Sequence, residues 1–238
     1  MSSSAVVAQG VSKRFGAAAA LRNVDLNLNN GELLLLAGAN GAGKTTLLRL
    51  FAGLSRPSQG TVLLAGTNPV GSDRRGVGFV SHQSLLYDEL TVVENLTFFA
   101  RLYGVPRAHE RIDAMLEWVE LGDRRHQRTG TLSRGLKQRL SLARSVLHEP
   151  SILLLDEPFA SLDRRGIRLI TRYLKSLDGV RTKPTAIIVS HEIEPTADVI
   201  NRVVILRRGR ISLDRAWNGG SGVELQKLCD HFSEAETG

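Results

Sequence analysis

Two stretches of this chain carry residue types at spacings suited to phosphate chemistry. The first is Gly38, Ala39, Asn40, Gly41, Ala42, Gly43, Lys44 and Thr45, a glycine, four residues, then Gly-Lys-Thr, with Thr46 directly after it. Glycines let backbone N–H groups turn inward around phosphate oxygens, and a helix start adds partial positive charge. Lys44 has the reach for β- and γ-phosphates, and the Thr45 hydroxyl is a ligand type for Mg²⁺. The second stretch runs from Ile152 to Pro158: four apolar residues, then Asp156 and Glu157. A buried strand that ends in two acids presents both at its carboxyl edge, where parallel sheets bind ligands. There Asp156 is placed to hold Mg²⁺, directly or through water, and Glu157 to polarise an attacking water as general base.

The flanking residues must supply the elements that aim these groups. Glu32–Ala37 is an apolar run that reads as a buried strand, and Thr46–Ala52 has leucines at helical spacing. Before them, Val24, Leu26 and Leu28 alternate with polar residues in a half-buried strand, and Asn29-Asn30-Gly31 is a turn. Thr61–Leu64 and Gly76–Val80 read as further strands. From Leu90 to Leu147 the texture is helical. A capping box at Thr91–Glu94 opens one helix, Arg111–Leu121 forms a second, and Ser133–Leu147 a third. Alternation then resumes: strand Ile152–Leu155, helix Arg164–Leu177, strand Ala186–Val189 and a short helix near Glu192–Val199. A hairpin follows, with Val203–Leu206 and Ile211 around Arg208-Gly209. A second capping box, Ser221–Glu224, opens a last helix to about Glu234. The organisation expected is one domain: an α/β catalytic core over 1–89 and 150–212, an inserted helical lobe over 90–149, and a helical extension over 213–238.

Bulk composition fits that reading. A chain of 238 residues buries roughly 70–75% of its unfolded surface, enough for a full core. No apolar run approaches the ~20 residues of a membrane helix, and the start of the chain lacks signal-peptide character. A location inside the cell is therefore expected. Cys229 is the single cysteine, so neither a disulfide framework nor a cysteine-rich metal site is available. The net charge of +7 suits an anionic ligand or an anionic membrane surface. The arginines are scattered, with no basic stripe interleaved with aromatics, which argues against nucleic acid as a partner.

Taken together, the motifs resemble the nucleotide-binding subunits of ABC transporters, from about Ala5 to Ser212. The resemblance extends to Phe15, similar to the aromatic that stacks on adenine, and to Gln83, similar to the glutamine that senses Mg²⁺ and water and meets the membrane partner. Leu132, Ser133, Arg134, Gly135 and Leu136 resemble the family signature. Asp163, in Ala160-Ser161-Leu162-Asp163, resembles the loop that crosses the dimer interface. His191, 34 residues after Glu157, resembles the switch histidine that contacts the γ-phosphate. The signature departs from the usual Leu-Ser-Gly-Gly-Gln at Arg134 and Leu136, while Ser133 and Gly135 are kept.

The resemblance implies a P-loop ATPase fold of α/β class, with an antiparallel β portion and an inserted helical lobe. It implies ATP and Mg²⁺ as cofactors, and two chains sandwiching two nucleotides between residues 38–45 of one and Ser133–Gly135 of the other. The second chain would be another copy or a relative. A separate transmembrane permease completes the machine, which places this chain peripherally on the cytoplasmic face of the membrane. Residues 87–96 and the Ser133-Arg134-Gly135 signature look most like the haem-exporter ATPase subunits of cytochrome c biogenesis, with drug, polysaccharide and lipid exporters as the alternative. A soluble ABC-type ATPase is a further reading, but those relatives carry two motif sets or a long coiled-coil insertion, and neither occurs here.

Overall fold

The structure is a computed structural model that describes residues 4–70, 75–81, 84–176 and 184–234. Two sheets form its frame. The smaller is antiparallel, with strands β1 (Ser4–Phe15), β2 (Ala18–Asn29) and β4 (Gln59–Leu64) in the order β2-β1-β4. The larger has six strands, adding β3 (Leu33–Ala37), β5 (Val77–Val80), β6 (Ile152–Asp156), β7 (Thr185–Val189), β8 (Arg202–Arg207) and β9 (Arg210–Ala216). Their order is β5-β6-β7-β3-β8-β9, parallel throughout except for the antiparallel β8–β9 hairpin.

β3, β6 and β7 are continuous apolar runs because both faces of this sheet are covered. Side chains alternate across a strand. Leu34 and Leu36 therefore enter one core with helix α1 (Lys44–Phe51) and the antiparallel sheet. Leu33, Leu35 and Ala37 enter the other, beneath helices α2 (Val92–Tyr103), α3 (Ala108–Trp118) and α4 (Arg134–Val146). That second core also takes in α5 (Arg164–Ser176) through Ile170 and Leu174, and α7 (Gly222–Glu234) through Leu225 and Cys229. The remaining helix, α6, covers only Glu194–Ala197.

Local chemistry sets the helix boundaries. The Thr91 side chain accepts from the Glu94 N–H at 3.3 Å, and the Glu94 carboxylate accepts from the Thr91 N–H at 2.8 Å, completing the capping box that starts α2. Ser133 caps α4, accepting from the Leu136 N–H at 3.4 Å. α3 begins at Ala108 rather than Arg111 and ends at Trp118, and α6 is a single turn where Glu192–Val199 was expected. β5 has a free edge, which α4 and the turn after it close. Arg144 donates to the Phe79 carbonyl at 2.7 Å and His148 to the Val77 carbonyl at 3.2 Å, so no further strand can pair there.

Candidate functional site

The carboxyl ends of three neighbouring strands, β6, β7 and β3, meet at one cleft of about 400 Å³. Residues 40–46 line it, together with Ala20, Asp156, Glu157, Val189 and His191. Sheet register explains the meeting. Asp156 pairs with Val189 across β6 and β7, so the residues just beyond each strand end, Glu157 and His191, come side by side. The loop after β3 leads into α1, whose first residue is Lys44.

The glycines of that loop answer to its packing. Gly43 sits at φ 110°, and a Cβ there would lie 2.6 Å from the Ala20 carbonyl oxygen. At Gly38 a Cβ would come within 2.2 Å of the Leu206 carbonyl oxygen. Only glycine tolerates such approaches in that backbone region.

Lys44 is buried, and its ammonium donates to the carbonyls of Gly38 at 2.5 Å and Ala39 at 3.0 Å. Burial lowers its pKa, opposed by the charges of Glu157 and Asp156. The Thr45 hydroxyl donates to Asp156 Oδ1 at 3.3 Å. These two oxygens are hard donors of the type Mg²⁺ takes, and that ion draws its other ligands from phosphate and water, so the pair fits it.

Glu157 holds the left-handed backbone region at φ 54°, uncommon for a residue with a side chain. Its N–H donates to the Val189 carbonyl at 2.8 Å, and its Oε2 accepts from the His191 N–H at 3.1 Å. The imidazole Nε2 of His191 lies 3.6 Å from Oε1, too far for a hydrogen bond. Burial raises the Glu157 pKa and Asp156 adds to the rise, against the His191 N–H, the His191 ring and Lys44. A raised carboxyl beside a lysine at the foot of a phosphate loop suits proton transfer from a water attacking a phosphoryl group.

Other expected site residues stand apart from this cleft. Phe15 is 58% exposed at the end of β1, with the Lys13 ammonium 5.0 Å from its ring centroid; Ala20, across the same hairpin, reaches the cleft in its place. Ser133 and Gly135 sit at the start of α4 and do not line it. Gly135 has a reason within its own chain: a Cβ there would lie 2.8 Å from the Ser161 carbonyl oxygen. Asp163 accepts from Arg139 at 2.7 Å and from the Gly166 N–H at 2.8 Å. Arg134 is exposed. Gln83 lies outside the described residues.

Sequence reasoning passed over Gln138 and Asn95, two buried polar residues inside helices read for their leucines. Gln138 donates to the carbonyls of Glu157 and Pro158 at 3.3 and 3.2 Å. Asn95 exchanges hydrogen bonds with both backbone groups of Tyr87, each at 2.9 Å. An amide at a helix position that the apolar pattern turns inward was the available signal.

A sequence profile described as ABC transporter matches residues 21–160. The sulfate/thiosulfate import ATP-binding protein CysA of Bradyrhizobium diazoefficiens is 41% identical over 209 residues, which cover 84% of this chain and 60% of CysA. YxlF of Bacillus subtilis, described as an uncharacterized ABC transporter ATP-binding protein, is 39% identical over 212 residues, 88% of this chain and 67% of YxlF. This chain thus spans about three fifths of the length of the CysA relatives it matches. Among solved structures, a dimeric post-hydrolysis state of the ATP-binding cassette MJ0796 bound to ADP and Pi superposes with a TM-score of 0.81. Its identity is 29%, and the match covers 90% of this chain and all of that one.

Proposed function

Because the chain belongs to the ABC transporter family, with a P-loop α/β fold, an antiparallel sheet and a helical lobe, we propose that it is the ATP-hydrolysing subunit of a membrane transporter. The observation that carries this reading is the convergence of Lys44, Thr45, Asp156, Glu157 and His191 on one cleft. The triphosphate lies along residues 38–45, whose amides and Lys44 hold its oxygens. Thr45 and Asp156 would hold Mg²⁺, which would supply positive charge against the phosphates. A water beside Glu157 attacks the γ-phosphorus in line and passes its proton to the carboxylate. The bond from the γ-phosphorus to the bridging oxygen breaks, and ADP leaves with the electron pair. His191 stands where its ring can meet the γ-phosphate.

Ser133 and Gly135 lie outside this cleft, and the MJ0796 cassette is dimeric. Both facts support a sandwich in which the start of α4 in a second chain, a copy or a relative, closes over the nucleotide. No helix among the described residues is long and apolar enough to cross a membrane. Membership of the ABC transporter family supports a transmembrane permease as the partner that holds the transport path. On this reading the chain sits peripherally on the cytoplasmic face. Phe15 would stack on the base from the hairpin that carries Ala20.

The expectation of haem export is set aside. The relatives described above are a sulfate/thiosulfate import subunit and an uncharacterized transporter subunit, and neither description mentions haem or cytochrome. Their likeness favours import, with a small oxyanion as the cargo to try first. The test is phosphate release from ATP and Mg²⁺ by the purified chain, alongside co-purification with a membrane protein from detergent extracts. Absence of turnover in both the chain and any recovered complex would overturn the reading.

A further inference from the structure

We propose that Gln138, buried in the second turn of α4, is a positioning residue for Glu157; the inference rests on the reading above, in which Glu157 takes the proton of the attacking water. Glu157 is a residue with a side chain in the left-handed region, and such a conformation persists only where its surroundings over-determine it. Four backbone contacts do so here. The Glu157 N–H is tied to the Val189 carbonyl at 2.8 Å. Its carbonyl and that of Pro158 both accept from the Gln138 side-chain amide, at 3.3 and 3.2 Å. Pro158 has no N–H, so the strand cannot continue its ladder past Glu157; the Ala160 N–H turns back to the Glu157 carbonyl at 3.2 Å, and Gln138 adds a second donor there while serving the Pro158 carbonyl as well.

The same face of α4 grips the rest of the loop. Positions 135, 138 and 139 are spaced by three and four residues, which puts them on one side of a helix. Gly135 packs on Ser161, the other left-handed residue of the segment, at φ 65°. Arg139, nearly buried, donates to Asp163 at 2.7 Å and to Glu120 at 3.1 Å. α4 thus holds residues 157–163 at both ends, and Gln138 holds the end that aims the carboxylate. If the Glu157 peptide turns, Oε2 leaves the His191 N–H that it accepts from at 3.1 Å.

Gln138→Met keeps length and bulk and removes the donor. Turnover should fall about tenfold or more, the scale of a displaced catalytic group. Nucleotide affinity should stay at the wild-type value, because Gln138 does not line the cleft. Loss of turnover with affinity kept is the signature of a displaced carboxylate rather than of a damaged nucleotide cleft. Melting temperature is measured in parallel, and Gln138→Glu, equal in shape but unable to donate when ionised, repeats the test if the methionine variant is unfolded. Wild-type turnover in a folded variant would overturn the proposal. So would equal losses of turnover and affinity, which would mark a general loss of structure. Glu157→Gln serves as the reference: if it still turns over ATP, the role of Glu157 fails and the proposal goes with it.

Discussion

The backbone N–H of His191 donates to Glu157 Oε2 at 3.1 Å while its ring nitrogen stands 3.6 Å from Oε1. One residue therefore anchors the carboxylate through its backbone while its ring makes no hydrogen bond to that carboxylate. Register between β6 and β7 creates this relationship, which sets the Glu157 carboxylate beside the segment that follows β7.

Glu157→Gln should slow hydrolysis by at least ~10²-fold, the scale of a lost general base. It should also change stability against pH. Burial raises the Glu157 pKa above the ordinary 4.5. Between 4.5 and the raised value the folded chain binds more protons than the unfolded one, so stability falls as pH rises. The glutamine variant should lose that slope and melt higher at neutral pH. Thermal melts over a pH series check it, and a variant that melts lower at neutral pH refutes the burial argument.

Lys44→Ala should abolish turnover and weaken nucleotide binding. The ammonium now bridges the Gly38 and Ala39 carbonyls, so its loss frees the loop as well as removing a charge. Lys44→Arg should not restore activity, because a planar guanidinium does not replace a compact ammonium in a buried site. Phosphate release and nucleotide titration decide it; an arginine variant with wild-type turnover would mean that charge alone suffices.

Asn95→Leu should lower the unfolding free energy by about 2 kcal/mol, the scale of backbone partners left unpaired. The Tyr87 N–H loses its Asn95 acceptor, the Tyr87 carbonyl keeps the Leu90 N–H at 3.2 Å but loses the Asn95 amide, and the Thr129 hydroxyl, which accepts from Asn95 at 2.9 Å, loses that donor. ATP affinity should hold, since none of these residues lines the cleft. Urea denaturation with a nucleotide titration tests both halves, and an unchanged midpoint would show that the Tyr87 segment finds other partners.

Tyr87→Ala and Leu102→Glu should uncouple the chain from its membrane subunit while nucleotide binding persists. Tyr87 packs edge-on against Phe98 at 4.9 Å, and Leu102, one turn further along α2, is 64% exposed. Leu86, by contrast, is partly buried against the core, so a charge there would strike the fold first. Pull-down of the solubilised complex is the measurement; partner recovery at wild-type yield from both variants would place the docking surface elsewhere.

The site was legible where chemistry is local. The spacing from Gly38 to Thr45, the acids that end an apolar run and the histidine after the next strand are short-range patterns; Asn40–Thr45, the two acids and the histidine line one cleft, while Gly38 and Ala39 meet Lys44 through their carbonyls. Helix starts were legible for the same reason: both capping boxes, Thr91 with Glu94 and Ser221 with Glu224, are four-residue devices. β1 was not read as a strand. Its pairing with β2 shifts register four times, which breaks the alternation that marks a strand. The start of α3 escaped too, because Arg107 caps it from a left-handed backbone with no side-chain bond to announce it.

By itself, then, the sequence determined the chemical kinds and the elements that bear them: a phosphate loop on a helix start, an acid pair at a strand end and a helical insertion. Tertiary structure alone decided which groups meet. Sheet order set β7 beside β6 and so brought His191 to Glu157. Packing of α4 on residues 157–163 gave Gln138, Gly135 and Arg139 their partners at separations of 19 to 26 residues. Such contacts depend on the register and docking of whole elements, which no short stretch of residues encodes.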